Sequence, residues 1–266
     1  MKIAITQPQP DSISKPELEK LVSNLSSLGY DGIEFKVCNP KNIDIEILQG
    51  LLKRYDLEIA AWATGASYIV EGLSLTDSEL SVRRKAIQRL QDIVILSSKI
   101  NHAPVVFGRM QGDLLKVDYT IARKQIVEGL REVGNVAKDA GVSIAFEPID
   151  RYEMEFHNTV EEVIGLINEI NIPNIRLMLD TFHMNIEEPS IEEAFRLGAG
   201  YLVHVHFADS NRDCPGTGHI DFGEILSILE EICYNGYVSM ECHPRKPRLN
   251  LAEEAIRYLR NIKKSW

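Results

Sequence analysis

The sequence predicts an α/β protein, a single (β/α)8 TIM barrel over residues 1–266, with its active site at the C-terminal ends of the strands. Three observations carry this expectation. Eight short apolar, β-branched runs alternate with longer segments of helical period, with no break in composition from one end to the other. Turn signals precede several of the runs, as in Leu28-Gly29-Tyr30-Asp31-Gly32, Ala140-Gly141 and Tyr234-Asn235-Gly236. The first run is followed by Gln7-Pro8-Gln9-Pro10, where an open doubly wound sheet would carry a Gly-rich phosphate loop.

In chain order, the expected strands of the first half are Lys2–Thr6, Gly32–Phe35, Glu58–Ala63 and Pro104–Phe107. Those of the second half are Val142–Phe146, Ile175–Leu179, Leu202–His206 and Tyr237–Met240. Between them apolar residues recur at a period near 3.6, which predicts helices such as Lys15–Leu28, Leu80–Lys99 and Tyr119–Ala140. A last helix is expected over Leu251–Lys264.

Composition narrows the function classes. A net charge of -10 argues against a nucleic-acid footprint, which needs a basic face. No run of about 18 apolar residues is present to span a bilayer. The opening MKIAITQPQP lacks the apolar core of a signal peptide. Cys38, Cys214, Cys233 and Cys242 form no C-x-x-C pair, so reduced thiols and a cytoplasmic location are expected.

The chemistry gathers at the ends of strands five to eight. Glu147, Asp180, His206 and Glu241 each close an apolar run, at successive gaps of 33, 26 and 35 residues, about one βα unit apiece. Taken singly, Glu147 or Asp180 reads equally well as a helix cap, and His206 reads better as a satisfied core histidine. Taken together, four such groups at one barrel end suggest that a cation offsets the cost of burying them. Three carboxylates and one imidazole favour Mn²⁺, with Co²⁺ or Mg²⁺ as alternatives, over a thiolate-type zinc site. A metal between two glutamates on separated strands is equipped to move a proton at carbon.

Other residues carry weaker expectations. His204 points inward one layer below His206 and reads as a core or supporting residue. Asp221 reads as a helix N-cap, with His219 beside it, and His243 as a neighbour of the site rim. His102 and His157 read as surface or helix-entry residues. Trp62 reads either as a wall for a sugar face or as core. Arg83-Arg84-Lys85 and Lys263-Lys264 read as solvated charge, and Pro244-Arg245-Lys246-Pro247 either as a phosphate-binding rim loop or as a plain proline-bounded one.

Several blocks of the second half resemble one family. They are Phe146-Glu147-Pro148-Ile149-Asp150-Arg151-Tyr152-Glu153, Met178-Leu179-Asp180-Thr181-Phe182-His183-Met184-Asn185 and His204-Val205-His206-Phe207-Ala208-Asp209-Ser210-Asn211-Arg212. Pro215-Gly216-Thr217-Gly218-His219-Ile220-Asp221-Phe222 and Met240-Glu241-Cys242 continue the match. With these the chain resembles the xylose-isomerase-like sugar isomerases and epimerases, most of all the D-tagatose and D-psicose (allulose) 3-epimerases. In the first half only Asp31-Gly32-Ile33-Glu34 is familiar. The loops Ala63-Thr64-Gly65-Ala66 and Gly108-Arg109-Met110-Gln111-Gly112 match no assignable pattern, which leaves substrate length open.

The resemblance implies that Glu147, Asp180, His206 and Glu241 ligate the metal and that Glu147 and Glu241 are the acid–base pair. It implies that Glu153, His183 and Arg212 bind the sugar. From the residues alone, Glu153 and Arg212 read equally as a loop salt bridge. The expected reaction is inversion at C3 of a ketose through an enediolate, in a homodimer or homotetramer. Competing readings are an aldose–ketose or hydroxypyruvate-type isomerase on the same site, a metal-dependent abasic-site endonuclease, and a non-catalytic sugar-binding barrel. Seven histidines and the acidic balance speak against the endonuclease.

Overall fold

The computed structural model describes residues 1–10, 13–114, 117–243 and 250–264. Its strands are β1 (Lys2–Gln7), β2 (Gly32–Lys36), β3 (Glu58–Ala63), β4 (Val105–Phe107), β5 (Ile144–Phe146), β6 (Ile175–Asp180), β7 (Leu202–Phe207) and β8 (Tyr237–Met240). They pair in parallel in sequence order, and β1 pairs with both β2 and β8, so the sheet closes. The helices are α1 (Lys15–Leu28), α2 (Ile45–Tyr55), α3 (Gly65–Glu71), α4 (Leu80–Ser98) and α5 (Tyr119–Ala140). They continue with α6 (Val160–Ile170), α7 (Thr181–Glu187), α8 (Ile191–Gly198), α9 (Phe222–Glu231) and α10 (Leu251–Lys264). The expected (β/α)8 barrel is therefore present.

Local chemistry accounts for many element ends. Glu162 N donates to Thr159 Oγ1 at 3.3 Å while Thr159 N donates to Glu162 Oε2 at 3.2 Å, which fixes the start of α6. Asp221 Oδ1 accepts from Gly223 N and Glu224 N, so it is the N-cap of α9 that the sequence predicts. α1 stops at Gly29, whose φ of 83° suits glycine. Strands β4 and β5 begin one and two residues later than expected. Pro104 has no N–H to donate to the ladder, and pairing of β5 with β6 opens at Ile144. The seven-residue helices α3 and α7 are too short to show a helical period in sequence.

The barrel interior is divided. Ala61, Val106, Ala145 and Met178 form a small buried apolar cluster. Glu34, His204 and Ser239, all fully buried, make the remainder polar. Side chains of opposite alternation, such as Phe35, Trp62, Phe107, Phe146 and Phe207, join the large core between sheet and helices. Trp62 stacks on Phe35 with ring centroids 6.2 Å apart and is fully buried, so it is core and not a sugar-facing wall.

Arg84 pairs with Glu132 on the surface at 2.6 Å, in keeping with solvated charge. Pro244-Arg245-Lys246-Pro247 and the side chains of Lys263 and Lys264 lie outside the described residues.

Candidate metal centre

Strands β5 to β8 deliver the four expected residues to one point. Glu147 follows β5, Asp180 ends β6, His206 lies in β7 and Glu241 follows β8. Each offers one ligand atom, and these atoms all lie within 4.8 Å of one another. His206 Nδ1 is 3.3 Å from Glu241 Oε2 and 3.8 Å from both Glu147 Oε1 and Asp180 Oδ2. It is buried and has no hydrogen-bond partner. One imidazole nitrogen facing three carboxylates is a hard, mostly oxygen donor set that fits a divalent cation. Asp180 serves two ends at once: Oδ1 caps α7 by accepting from Phe182 N at 2.9 Å, and Oδ2 faces the centre.

Glycine makes room for one of these carboxylates. A Cβ built on Gly108 would sit 2.4 Å from Glu147 Oε2, so a larger residue there would displace the carboxylate.

The electrostatics separate the carboxylates. Burial pushes Glu147 up, and the charges of Glu241 and Asp180 add to it, so its pKa reaches about 7 despite His206 and His183. Burial acts on Glu241 too, but His206, Arg212 and Lys36 outweigh it and hold that group well below the usual carboxylate range. Asp180 is likewise buried, yet Arg212 and the two histidines bring it to about 2. Burial alone would lower His206, and the negative charges of Glu34 and Glu241 reverse this and raise it well above an ordinary histidine.

The other predicted site residues surround the quartet. His183, in α7, has Nδ1 2.6 Å from Asp150 Oδ2, which accepts its hydrogen bond, leaving Nε2 3.9 Å from both Glu147 Oε1 and Asp180 Oδ2. Arg212 donates to Asp180 Oδ2 at 2.6 Å and to Glu241 Oε2 at 2.8 Å, with its guanidinium 4.7 Å from the Phe182 ring centroid. Glu153 pairs with Arg109. Glu153 and Arg212 therefore do not form a salt bridge with each other. Above the quartet lies a cavity of about 310 Å³. That volume lies at the small end of small-molecule sites. Its walls include Thr64, Ile69, Arg109 and Glu153, so the two loops without a recognisable pattern form its outer part.

Some residues were not foreseen. Lys36, at the end of β2, reaches Glu241 Oε1 at 3.3 Å and His243 Nε2 at 3.2 Å, and both Lys36 and His243 line the cavity. Glu34 lies beneath the quartet, 2.9 Å from His204 Nε2 and 2.9 and 3.0 Å from His206 Nε2. A charged residue at an inward position of an apolar strand was the available signal for Glu34. His204 brings Nε2 to this carboxylate, the supporting role expected of it, and with Glu34 and His206 it makes a second group whose atoms could hold a metal ion. His157 is a correction. It is buried, its Nδ1 lies 3.0 Å from Gln111 Oε1, and its ring packs 4.8 Å from that of Phe156. The rings of Tyr119 and Phe146 also pack against it, neighbours that local sequence does not reveal. His102 is exposed as expected.

Residues 22–262 match the family model of the xylose isomerase-like TIM barrel. The chain belongs to this family. Among its relatives in the family, an L-ribulose 3-epimerase of Mesorhizobium japonicum is 31% identical over 236 residues, 86% of this chain and 77% of the relative. A D-psicose 3-epimerase of Enterocloster bolteae is 29% identical over 233 residues, 85% and 76% of the two chains. Among solved structures of the xylose isomerase-like barrel, an L-ribulose 3-epimerase superposes with a TM-score of 0.86 at 26% identity, covering 99% of this chain and 95% of that one. A D-psicose 3-epimerase of Clostridium cellulolyticum H10, solved with D-tagatose, gives 0.79 at 26%, covering 99% and 92%. These relatives are epimerases, enzymes of the isomerase class. No described helix is long and apolar enough to cross a membrane.

Proposed function

We propose that this chain is a metal-dependent ketose 3-epimerase, one barrel domain over 1–266 that inverts C3 of a ketose. The observation that carries the reading is the convergence of Glu147 and Glu241, from strand ends three positions apart in the barrel, on one imidazole beneath an open cavity. The names of the two relatives above, an L-ribulose 3-epimerase and a D-psicose 3-epimerase, support it.

In this reading Glu147, Asp180, His206 and Glu241 hold the cation, with Mn²⁺ the preferred ion and Co²⁺ or Mg²⁺ as alternatives. The ion supplies Lewis acidity at the ketose oxygens and offsets the charge that builds as the C3 proton leaves. One glutamate accepts that proton on one face and the other donates a proton to the opposite face, so configuration inverts without net redox change. Glu147 and Glu241 exchange roles with reaction direction. His183, with Nδ1 held by Asp150, presents Nε2 to a sugar oxygen, and Arg212 donates to another. Glu153 and its partner Arg109 close the outer end of the cavity and meet the far hydroxyls.

A homodimer or homotetramer belongs to the same proposal. Ile69 and Val70, which line the cavity mouth, are 67% and 71% exposed, a feature that association would cover. A cytoplasmic location also belongs to it, supported by the lack of a disulfide among the described cysteines.

The test uses metal-stripped and Mn²⁺-loaded protein with a panel of ketohexoses and ketopentoses in D₂O, followed by proton NMR. Deuterium at C3 together with the C3 epimer, only with metal, is the expected result. Deuterium at C1 or C2 with an aldose appearing would move the assignment to an isomerase, and no exchange in any free ketose would sink the proposal.

A further inference from the structure

Glu34 has no assigned role, yet it lies at the centre of the barrel with none of its surface exposed. A fully buried carboxylate is costly unless its partners hold it in place. Its partners are two imidazoles from β7, three strands away round the barrel. Oε1 and Oε2 lie 2.9 and 3.0 Å from His206 Nε2, and Oε2 lies 2.9 Å from His204 Nε2.

The backbone is shaped for this contact at both ends. The register of β2 against β3 shifts between Ile33 and Glu34. In the pairing of β6 with β7, Leu177 faces Leu202 but Met178 faces His204, so β7 carries one extra residue next to His204. Irregularities of this kind re-aim side chains, and here they bring Glu34, His204 and His206 onto the same interior axis.

An ionised carboxylate only accepts hydrogen bonds, so both imidazoles must present an N–H at Nε2. For His206 this settles which nitrogen is left. Nδ1 becomes the atom that faces Glu147, Asp180 and Glu241, and it is this nitrogen that has no hydrogen-bond partner. His204 takes the remaining direction on Oε2 and so stops the carboxylate from rotating away.

We infer that Glu34 is a positioning residue, which together with His204 fixes the tautomer and ring orientation of His206 so that Nδ1 is the cation ligand. This inference rests on the metal centre proposed above. It concerns a carboxylate that touches neither the cation nor the sugar. Partners of this type, which orient a ligating histidine through its other nitrogen, commonly change metal affinity by about 10–100-fold when removed.

The test compares the wild-type chain with Glu34→Gln. Mn²⁺ affinity and stoichiometry are measured by titration calorimetry. The histidine tautomers are read by ¹⁵N NMR of ¹⁵N-histidine protein loaded with diamagnetic Mg²⁺. A Gln side chain can accept from one imidazole, but its NH₂ must face the other. The expected result is one ion per chain, His206 protonated at Nε2 in the wild type, and Mn²⁺ binding weakened about 10–100-fold in the variant with a changed His206 tautomer. Wild-type His206 protonated at Nδ1 would overturn the inference, even if the variant failed to fold. So would unchanged affinity and tautomer in a folded variant. Two ions per wild-type chain, one of them lost in Glu34→Gln, would replace positioning by a second cation site at Glu34, His204 and His206. No ion bound to the wild type at all would overturn the metal centre itself, which separates that failure from this one.

Discussion

The guanidinium of Arg212 lies 2.6 Å from Asp180 Oδ2, so a cation of the chain's own already neutralises a buried carboxylate of the proposed metal quartet. A second nitrogen reaches Glu241 Oε2 at 2.8 Å, and the residue adopts a φ of 62° to place it there. This fork matches planar recognition of oxygen pairs, which suits a sugar's carbonyl and hydroxyl once they enter. Arg212→Met, which keeps much of the stem, is expected to lower kcat by about 10²–10³-fold, the usual cost of removing one donor to developing negative charge. Metal analysis of the purified variant is expected to show the ion retained. Loss of the ion would assign Arg212 to assembly of the quartet instead.

Ligation and proton transfer are separable at two positions. Asp180 holds the ion but moves no proton in the proposed reaction, so Asp180→Ala is expected to lose metal and activity together. Glu147→Gln keeps an oxygen ligand and loses the base, so metal is retained while C3 deuterium exchange falls by about 10²–10⁴-fold. Metal content by elemental analysis, paired with the D₂O assay, checks both. Equal metal loss in the two variants would refute the division of roles.

The outer end of the cavity offers a specificity test. Glu153 pairs with Arg109 across the two loops that follow β4 and β5. Glu153→Gln keeps size and removes the charge that holds Arg109, so KM for ketohexoses is expected to rise about tenfold with a smaller change in kcat, as uniform binding is lost. Initial rates over a concentration series, with a ketopentose as the short comparison, measure the split. A fall in kcat without a change in KM would place Glu153 in the chemical step.

His157 makes a pH-dependent contribution to stability. Burial, with a smaller effect of the Arg123 charge, lowers its pKa to about 4 in the folded chain. The unfolded value is about 6.5, so the unfolded chain binds the proton more tightly. The stability is fully present above pH ~6.5 and is lost as pH falls toward 4, by about 3 kcal/mol in all. Urea unfolding of the wild type and of His157→Asn across this range is the measurement. The variant, whose residue also tolerates the φ of 56° at this position, is expected to show the shallower fall. Parallel curves would remove His157 from the account.

The barrel and the quartet were legible because their signals are local. Strand alternation makes the direction of Asp180 or His206 a matter of counting residues, and the barrel rule brings strand ends to one rim. Both Glu58–Ala63 and Tyr237–Met240 appear with their predicted bounds for the same reason. Where a short element depends on what packs over it, as for α3 and α7, the local pattern carried too little information.

What the sequence by itself determined is therefore the closed (β/α)8 barrel and the set Glu147, Asp180, His206 and Glu241 at its C-terminal rim. Only the tertiary structure decided which partner each charge meets. It joined Glu34 to His206 across 172 residues of chain, turned Glu153 to Arg109 and Arg212 to Asp180, and enclosed His157. The physical reason is one of range. Backbone periodicity acts over a few residues, whereas a buried charge takes whatever partner chain closure brings within about 3 Å, and no single strand encodes that neighbour.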